Sequence, residues 1–279
     1  MALTMCACSS PDGPEQNKPG LLRISVLPDQ SPEQLQKIYK PLFDYISAQT
    51  GLKYQLIIPK SYQASIDSLK NKQTDFAYLG GYTFMLSHIK GLSQPLVMRD
   101  VDLKFTSSLI TSSKSTVAKL TDLHQKKFAF GSRLSTSGHL MPRYFLQEKG
   151  FIPENFFSTI QYSGAHDKTA YLVRDGKADA GILNTHVLKQ MLNDGRLSKQ
   201  DIKVIWTSPA YPDYVWAISS EVSSTTATTL KKAMLQLVYS NPEHKKILDN
   251  LSAKAFLPAS LEDFDILHTI VSKKNIYQD

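Results

Sequence analysis

The chain reads as an α/β protein of two Rossmann-like lobes with mixed, mostly parallel sheets, joined by a two-crossing hinge. Three observations predict this. A strand–helix–strand–helix–strand order occurs twice, about a hundred residues apart. Two strand-like segments stand where the chain would pass between the halves, and a Ser-Thr-Ser-Gly element marks the start of a helix in the second half.

The first unit opens with the strand Arg23-Ile24-Ser25-Val26-Leu27. Ser31 caps the following helix and Pro32 takes its first position, where a missing N–H costs nothing. Leu35, Ile38, Tyr39, Leu42, Phe43 and Ile46 keep helical spacing until Gly51 stops it. A strand over Tyr54 to Ile58, a helix over Tyr62 to Lys70 and the strand Phe76-Ala77-Tyr78-Leu79 complete the unit, which ends at Gly80-Gly81. The second unit has a strand over Lys127 to Gly131, a helix from His139 to Lys149 and a strand around Ser158 to Tyr162. A helix over His166 to Asp175 and the strand Asp179 to Leu183 follow. Asp75 and Asp179 each open the third strand of their unit after a helix end, an echo that argues for similar lobes.

Two crossings connect the units. One runs through the strand Thr106 to Thr111, and the other returns from Val204-Ile205-Trp206 through Pro209 and Pro212-Asp213 into the strand Tyr214 to Ile218. Lobe one is therefore expected to hold residues 21–108 and 213–279, and lobe two residues 109–212. The helical segments Ser224 to Tyr239 and Pro242 to Leu251 are expected to pack back on lobe one. A cleft between such lobes collects strand ends and helix N-termini.

Composition narrows the function. The 279 residues are those of a globular protein, and no apolar run approaches the roughly 20 residues of a membrane helix. The formal charge of +7 is scattered among acids without a basic run carrying interleaved aromatics, so no nucleic-acid partner is expected. The seven histidines show no ligand spacing and the body lacks cysteine, so neither a metal nor another cofactor is expected. Cys6 and Cys8 are too close in sequence for a mutual disulfide. Residues 1–20 read as a leader remnant and a polar tether. Ala7-Cys8-Ser9-Ser10 resembles a bacterial lipoprotein cleavage site with Cys8 as the acylated residue, and Cys6 fits less well because Met5 before it is not small.

Ser135-Thr136-Ser137-Gly138 carries the functional signal. The first N–H groups of a helix lack acceptors and carry about half a positive charge, so hydroxyls and a glycine there suit an oxyanion. The set formed by Val26-Leu27-Pro28-Asp29-Gln30-Ser31-Pro32-Glu33, Ser61-Tyr62, Asp75-Phe76-Ala77-Tyr78-Leu79-Gly80, this element, Gly164-Ala165-His166 and Pro212-Asp213 resembles the periplasmic binding proteins of phosphonate, phosphite and phosphate ABC transporters. That resemblance implies a type II periplasmic-binding-protein fold, a monomer, a permease partner and a lipid anchor at the membrane surface. It places a small phosphorus oxyanion against Ser135, Thr136 and Ser137, with His166 donating and Tyr62 closing from lobe one. Asp213, Tyr78, Phe105 and His186 complete the implied ligand-facing set. Relatives that bind aminoalkylphosphonates tend to have Tyr at the position of Phe105 and Glu at that of His186. Only Asp213 is then left to pair an ammonium, so compact ligands are expected to bind more tightly.

Two other functions use the same residues. Ser135 or Ser137 with His166 and Asp213 supplies the letters of a hydrolase triad, but no Gly-x-Ser-x-Gly elbow surrounds either serine, and an enzyme is not expected. A binding protein reporting to a membrane sensor kinase would use the same cleft.

Overall fold

The computed structural model describes residues 20–273. The lipidation candidate Cys8, Cys6 and the tether up to residue 19 lie outside the described residues. The elements are β1 (Leu21–Val26), α1 (Pro32–Thr50), β2 (Lys53–Ile57), α2 (Tyr62–Lys70), β3 (Phe76–Leu79), α3 (Gly81–Ile89), β4 (Ser93–Arg99) and β5 (Ser107–Ser112). There follow β6 (Lys127–Phe130), a π-helical turn (Thr136–Leu140), α4 (Met141–Glu148), α5 (Pro153–Phe156), β7 (Thr159–Tyr162), α6 (His166–Arg174), β8 (Ala180–Asn184), α7 (Thr185–Asn193) and β9 (Ile202–Thr207). The chain closes with β10 (Val215–Ser219), α8 (Ser224–Leu235), α9 (Pro242–Asn250), β11 (Phe256–Pro258) and α10 (Asp265–Ser272).

Local chemistry accounts for the first unit. Ser31 has extended backbone and its Oγ accepts from Gln34 N at 3.3 Å, Pro32 opens α1, and Gly51 ends it at φ 72°. The six apolar residues at helical spacing are the face that α1 buries. Ser61 caps α2 in the same way, through Ala64 N at 3.1 Å.

Two sheets result, in the orders β11-β4-β10-β3-β1-β2 and β7-β6-β8-β5-β9. β1 is parallel to β2 and β3, and β6 is parallel to β7 and β8. β10 is antiparallel to β3 and β4, and β5 is antiparallel to β8 and β9. Each of these reversed strands is the one entered just after a crossing. The crossings are bonded to each other, Phe105 N to Tyr211 O at 2.8 Å and Tyr211 N to Phe105 O at 3.0 Å, so the hinge is a two-strand ribbon.

The echo between the units extends to single atoms. Asp75 Oδ2 accepts from Arg23 N in β1 at 2.8 Å, and Asp179 Oδ2 accepts from Lys127 N in β6 at 2.8 Å. In each sheet the acid before the third strand thus holds a backbone N–H of the first.

Sheet one is centred on Trp216, fully buried and stacked on Phe76 at 4.9 Å, with α8 and α9 packed along α1. Beside it the buried Arg99 holds Asp102 at 2.6 Å and donates through Nη1 to Leu251 O at 2.8 Å, tying β4 to the end of α9. Removing one member of a buried pair leaves an uncompensated charge, at a cost of about 3–5 kcal/mol. Asp102→Ala is therefore expected to lower the unfolding free energy by about that amount in urea titration, and a loss below about 1 kcal/mol would mean that Arg99 finds another partner.

Candidate functional site

The second lobe builds a cradle from a close approach of two glycines. β6 runs into Gly131, whose N–H donates to Gly138 O at 2.8 Å. A Cβ on Gly138 would stand 2.9 Å from Ser135 Oγ, 3.1 Å from Gly131 Cα and 3.1 Å from His166 Cε1, so only glycine fits. Ser135 Oγ accepts from Gly138 N at 2.9 Å. Leu140 N reaches back to Ser135 O, the wide spacing of a π turn, a form that clusters at functional sites. The helical backbone therefore begins at Thr136, three residues before the expected His139. Thr, Ser and Gly are poor interior helix formers, and tertiary contacts hold them helical here. Thr136 and Ser137 consequently lie inside the first turn.

Three other helices begin beside this turn. Gly80 caps α3 without a side chain, and the first amides of α3 take acceptors from elsewhere. Gly81 N donates to Asp213 Oδ1 at 3.1 Å, and Tyr82 N donates to Thr136 Oγ1 at 2.9 Å. α2 begins with Tyr62, which lies close to Ser135, and α6 begins with His166 after an Ala165 that offers no cap. Four N-terminal dipoles thus converge on one place.

Three polar side-chain atoms at this convergence are buried and make no hydrogen bond with the described residues: Tyr62 Oη, Ser137 Oγ and Asp213 Oδ2. Such groups are uncommon because each costs about 1–3 kcal/mol. Burial pushes the Asp213 carboxyl up to about 7, while the nearby Thr136 hydroxyl, the Gly81 amide and the Ser137 hydroxyl pull it the other way. Burial likewise holds the Tyr62 phenol well above its ordinary value, so it remains a donor.

His166 is fully buried, and burial lowers its pKa to about 3, so the ring is neutral. Nδ1 faces Asn184 N at 3.4 Å and Nε2 faces Tyr214 Oη at 3.3 Å, while Tyr214 donates to Asp29 Oδ2 at 2.8 Å. This network assigns the ring proton to Nε2. His166 does not pair with its neighbour Asp167, whose carboxylate accepts from Lys168 N and, across the cleft, from Ser31 N. Neither ring nitrogen bonds Ser135, Ser137 or Asp213, so a hydrolase triad is not assembled among the described residues.

The remaining candidates form a second group. Phe105 is fully buried in the hinge ribbon, its ring 5.0 Å from His186 and 5.4 Å from Tyr214. Tyr78 stacks on Tyr214 at 5.0 Å, with Arg99 5.5 Å from both rings. Burial and then Arg99 lower His186 to about 4, leaving it neutral. Tyr78, Arg99, His186, Tyr214 and Asp29 line one pocket. Asp29 is thus a second acid near this wall, which corrects the expectation that Asp213 alone could meet an ammonium. Burial raises Asp29 to about 7, with the Tyr214 hydrogen bond opposing. Arg133, the nearest cation in sequence to the cradle, lies over the Tyr162 ring at 3.9 Å.

Residues 24–264 match the family described as "ABC transporter, phosphonate, periplasmic substrate-binding protein". The chain belongs to this family. It is similar to the probable ABC transporter phosphite binding protein PhnD1 of Prochlorococcus marinus, 29% identical over 94% of this chain and 92% of that one. The structure of that relative with methylphosphonate superposes with a TM-score of 0.86 at 28% identity, covering 92% of this chain and 99% of the other. The phosphate-import protein PhnD of Mycolicibacterium smegmatis is 25% identical over 85% of this chain and 79% of its own. These family members are substrate-binding components of transporters, and no described helix is long and apolar enough to cross a membrane.

Ser137→Ala and Tyr62→Phe each delete an unpartnered buried hydroxyl. Neither substitution is expected to lower the melting temperature of the unliganded protein. A fall of several degrees in either would show that the hydroxyl serves the fold.

Proposed function

We propose that this protein captures a small phosphorus oxyanion, such as phosphite, methylphosphonate or a related phosphonate, or phosphate, between its two sheets and delivers it to an ABC permease. The observation that carries the proposal is the trio Tyr62 Oη, Ser137 Oγ and Asp213 Oδ2, buried without partners where four helices begin. Two donors and one acceptor complement a phosphorus group with charged oxygens and one P–OH. Each hydrogen bond to a charged oxygen contributes about 1.5–3 kcal/mol, so the trio with the Ser135 and Thr136 hydroxyls suffices for micromolar binding after association costs. The methylphosphonate in the Prochlorococcus relative supports a ligand of this size.

Asp213 sets the discrimination. A second anion can face its Oδ2 only if a proton lies between them. Above about pH 7, where Asp213 has lost its own proton, fully ionised sulfate brings none, while a phosphorus oxyanion binds through its P–OH and should weaken as that group ionises. The Phe105 ring suits a P–H or P–CH3 face, and an ammonium entering beside His186 would meet Arg99 and an Asp29 already bonded to Tyr214. Calorimetric titration should therefore rank phosphite or methylphosphonate at least about tenfold above both 2-aminoethylphosphonate and sulfate, with Ser137→Ala and Tyr62→Phe each losing about tenfold. Asp213→Asn should flatten the pH dependence. No submillimolar binding of any phosphorus oxyanion would sink the proposal.

Acylation of Cys8 would hold the mature protein at the outer face of the cell membrane, because each buried methylene contributes about 0.8 kcal/mol. Mass spectrometry of the mature protein from cells is expected to find a diacylglyceryl Cys8 as its first residue. An unmodified first residue elsewhere would contradict the anchor.

A further inference from the structure

Three consecutive residues of the β1–α1 loop each bond to the second sheet's helices. Asp29 O accepts from His166 N at 2.9 Å, the first amide of α6. The Gln30 side chain donates to Gln190 Oε1 at 3.3 Å and accepts from Arg196 Nη1 at 3.0 Å. Ser31 N, at the cap of α1, donates to Asp167 Oδ2 at 3.1 Å. Asp29, Gln30 and Asp167 are only 4%, 7% and 6% exposed.

The exchange is reciprocal. α1 packs on sheet one and α6 on sheet two. Ala165 gives α6 no side-chain cap, and its leading N–H is satisfied by a carbonyl of the other lobe. Asp167, in the first turn of α6, places its second oxygen at the head of α1, where an anion is favoured. At each helix start one backbone N–H, that of Ser31 or of His166, finds its acceptor in the other lobe, and both are satisfied at once when the lobes meet.

The geometry points to Asp29-Gln30-Ser31 as a closure strap, with Asp167 and Arg196 as positioning residues that set how long a ligand stays enclosed without forming its cradle. The bonds form together, so they should open together. Residue-resolved amide hydrogen exchange on the full chain tests this, with and without phosphite as the probe. In Asp167→Ala, the Ser31 and His166 amides should both exchange at least tenfold faster, although Asp167 bonds only the first, while β1 and β8 amides keep their rates. Asp167→Asn, which retains one acceptor oxygen, should fall between, and Arg196→Gln should accelerate the same two amides. In stopped flow, Asp167→Ala should release phosphite at least fivefold faster with association changed less than twofold.

Acceleration of Ser31 alone would reduce Asp167 to a local cap and overturn the strap. Fast exchange of both amides in the wild-type protein, with and without phosphite, would overturn it too. If Asp167→Ala accelerates every amide, Arg196→Gln decides by the same criterion. The stopped-flow arm rests on the oxyanion reading and the exchange arm does not. Absence of phosphite binding would count against the ligand alone, and exchange in the unliganded protein would still decide the strap.

Discussion

Four helix N-termini aimed at one point between two sheets create the constraint on which the rest of the structure depends. Each brings amides without intrahelical acceptors and a partial positive charge. α3 solves this with acceptors from elsewhere, Asp213 from the returning hinge strand and Thr136 from the second lobe. Ser135 solves it within the π turn by turning its hydroxyl on Gly138 N. The convergence requires glycine where backbone passes backbone, at Gly131 and Gly138, and it fixes the hydroxyls in a dry place.

The hinge makes that concentration compatible with movement. Phe105 and Tyr211 pair as a short ribbon, and the strand after each crossing is inserted antiparallel beside the parallel unit of the other lobe. Few covalent links join the lobes, so polar contacts across the cleft, including Tyr82 with Thr136 and Thr83 with Leu134 O, carry much of the closed arrangement. Such contacts are individually worth about 0.5–1.5 kcal/mol, a scale on which a bound ligand can shift the balance between open and closed.

Much of the fold was legible in residues with short-range jobs. Ser31, Pro32 and Gly51 bounded α1, Ser61 capped α2, and the apolar spacing of α1 named its buried face. Asp75 and Asp179 announced the internal repeat through a bond each makes to its own first strand. The start of the helix after β6 was hidden because Thr136, Ser137 and Gly138 disfavour helix locally and are held by contacts distant in sequence. Asp29 and Tyr214 were invisible as partners for the same reason, since the bond between them joins residues far apart in the chain. The absence of a pair between His166 and Asp167 shows the limit of adjacency: side chains at neighbouring positions of a helix do not face each other.

The most direct measurement is a crystal structure of the protein with methylphosphonate. The phosphonate oxygens are expected within hydrogen-bond distance of Tyr62 Oη, Ser137 Oγ and Asp213 Oδ2, with the methyl group toward Phe105. Phosphonate density away from those three atoms, in a crystal where they stay buried and unpartnered, would contradict the account.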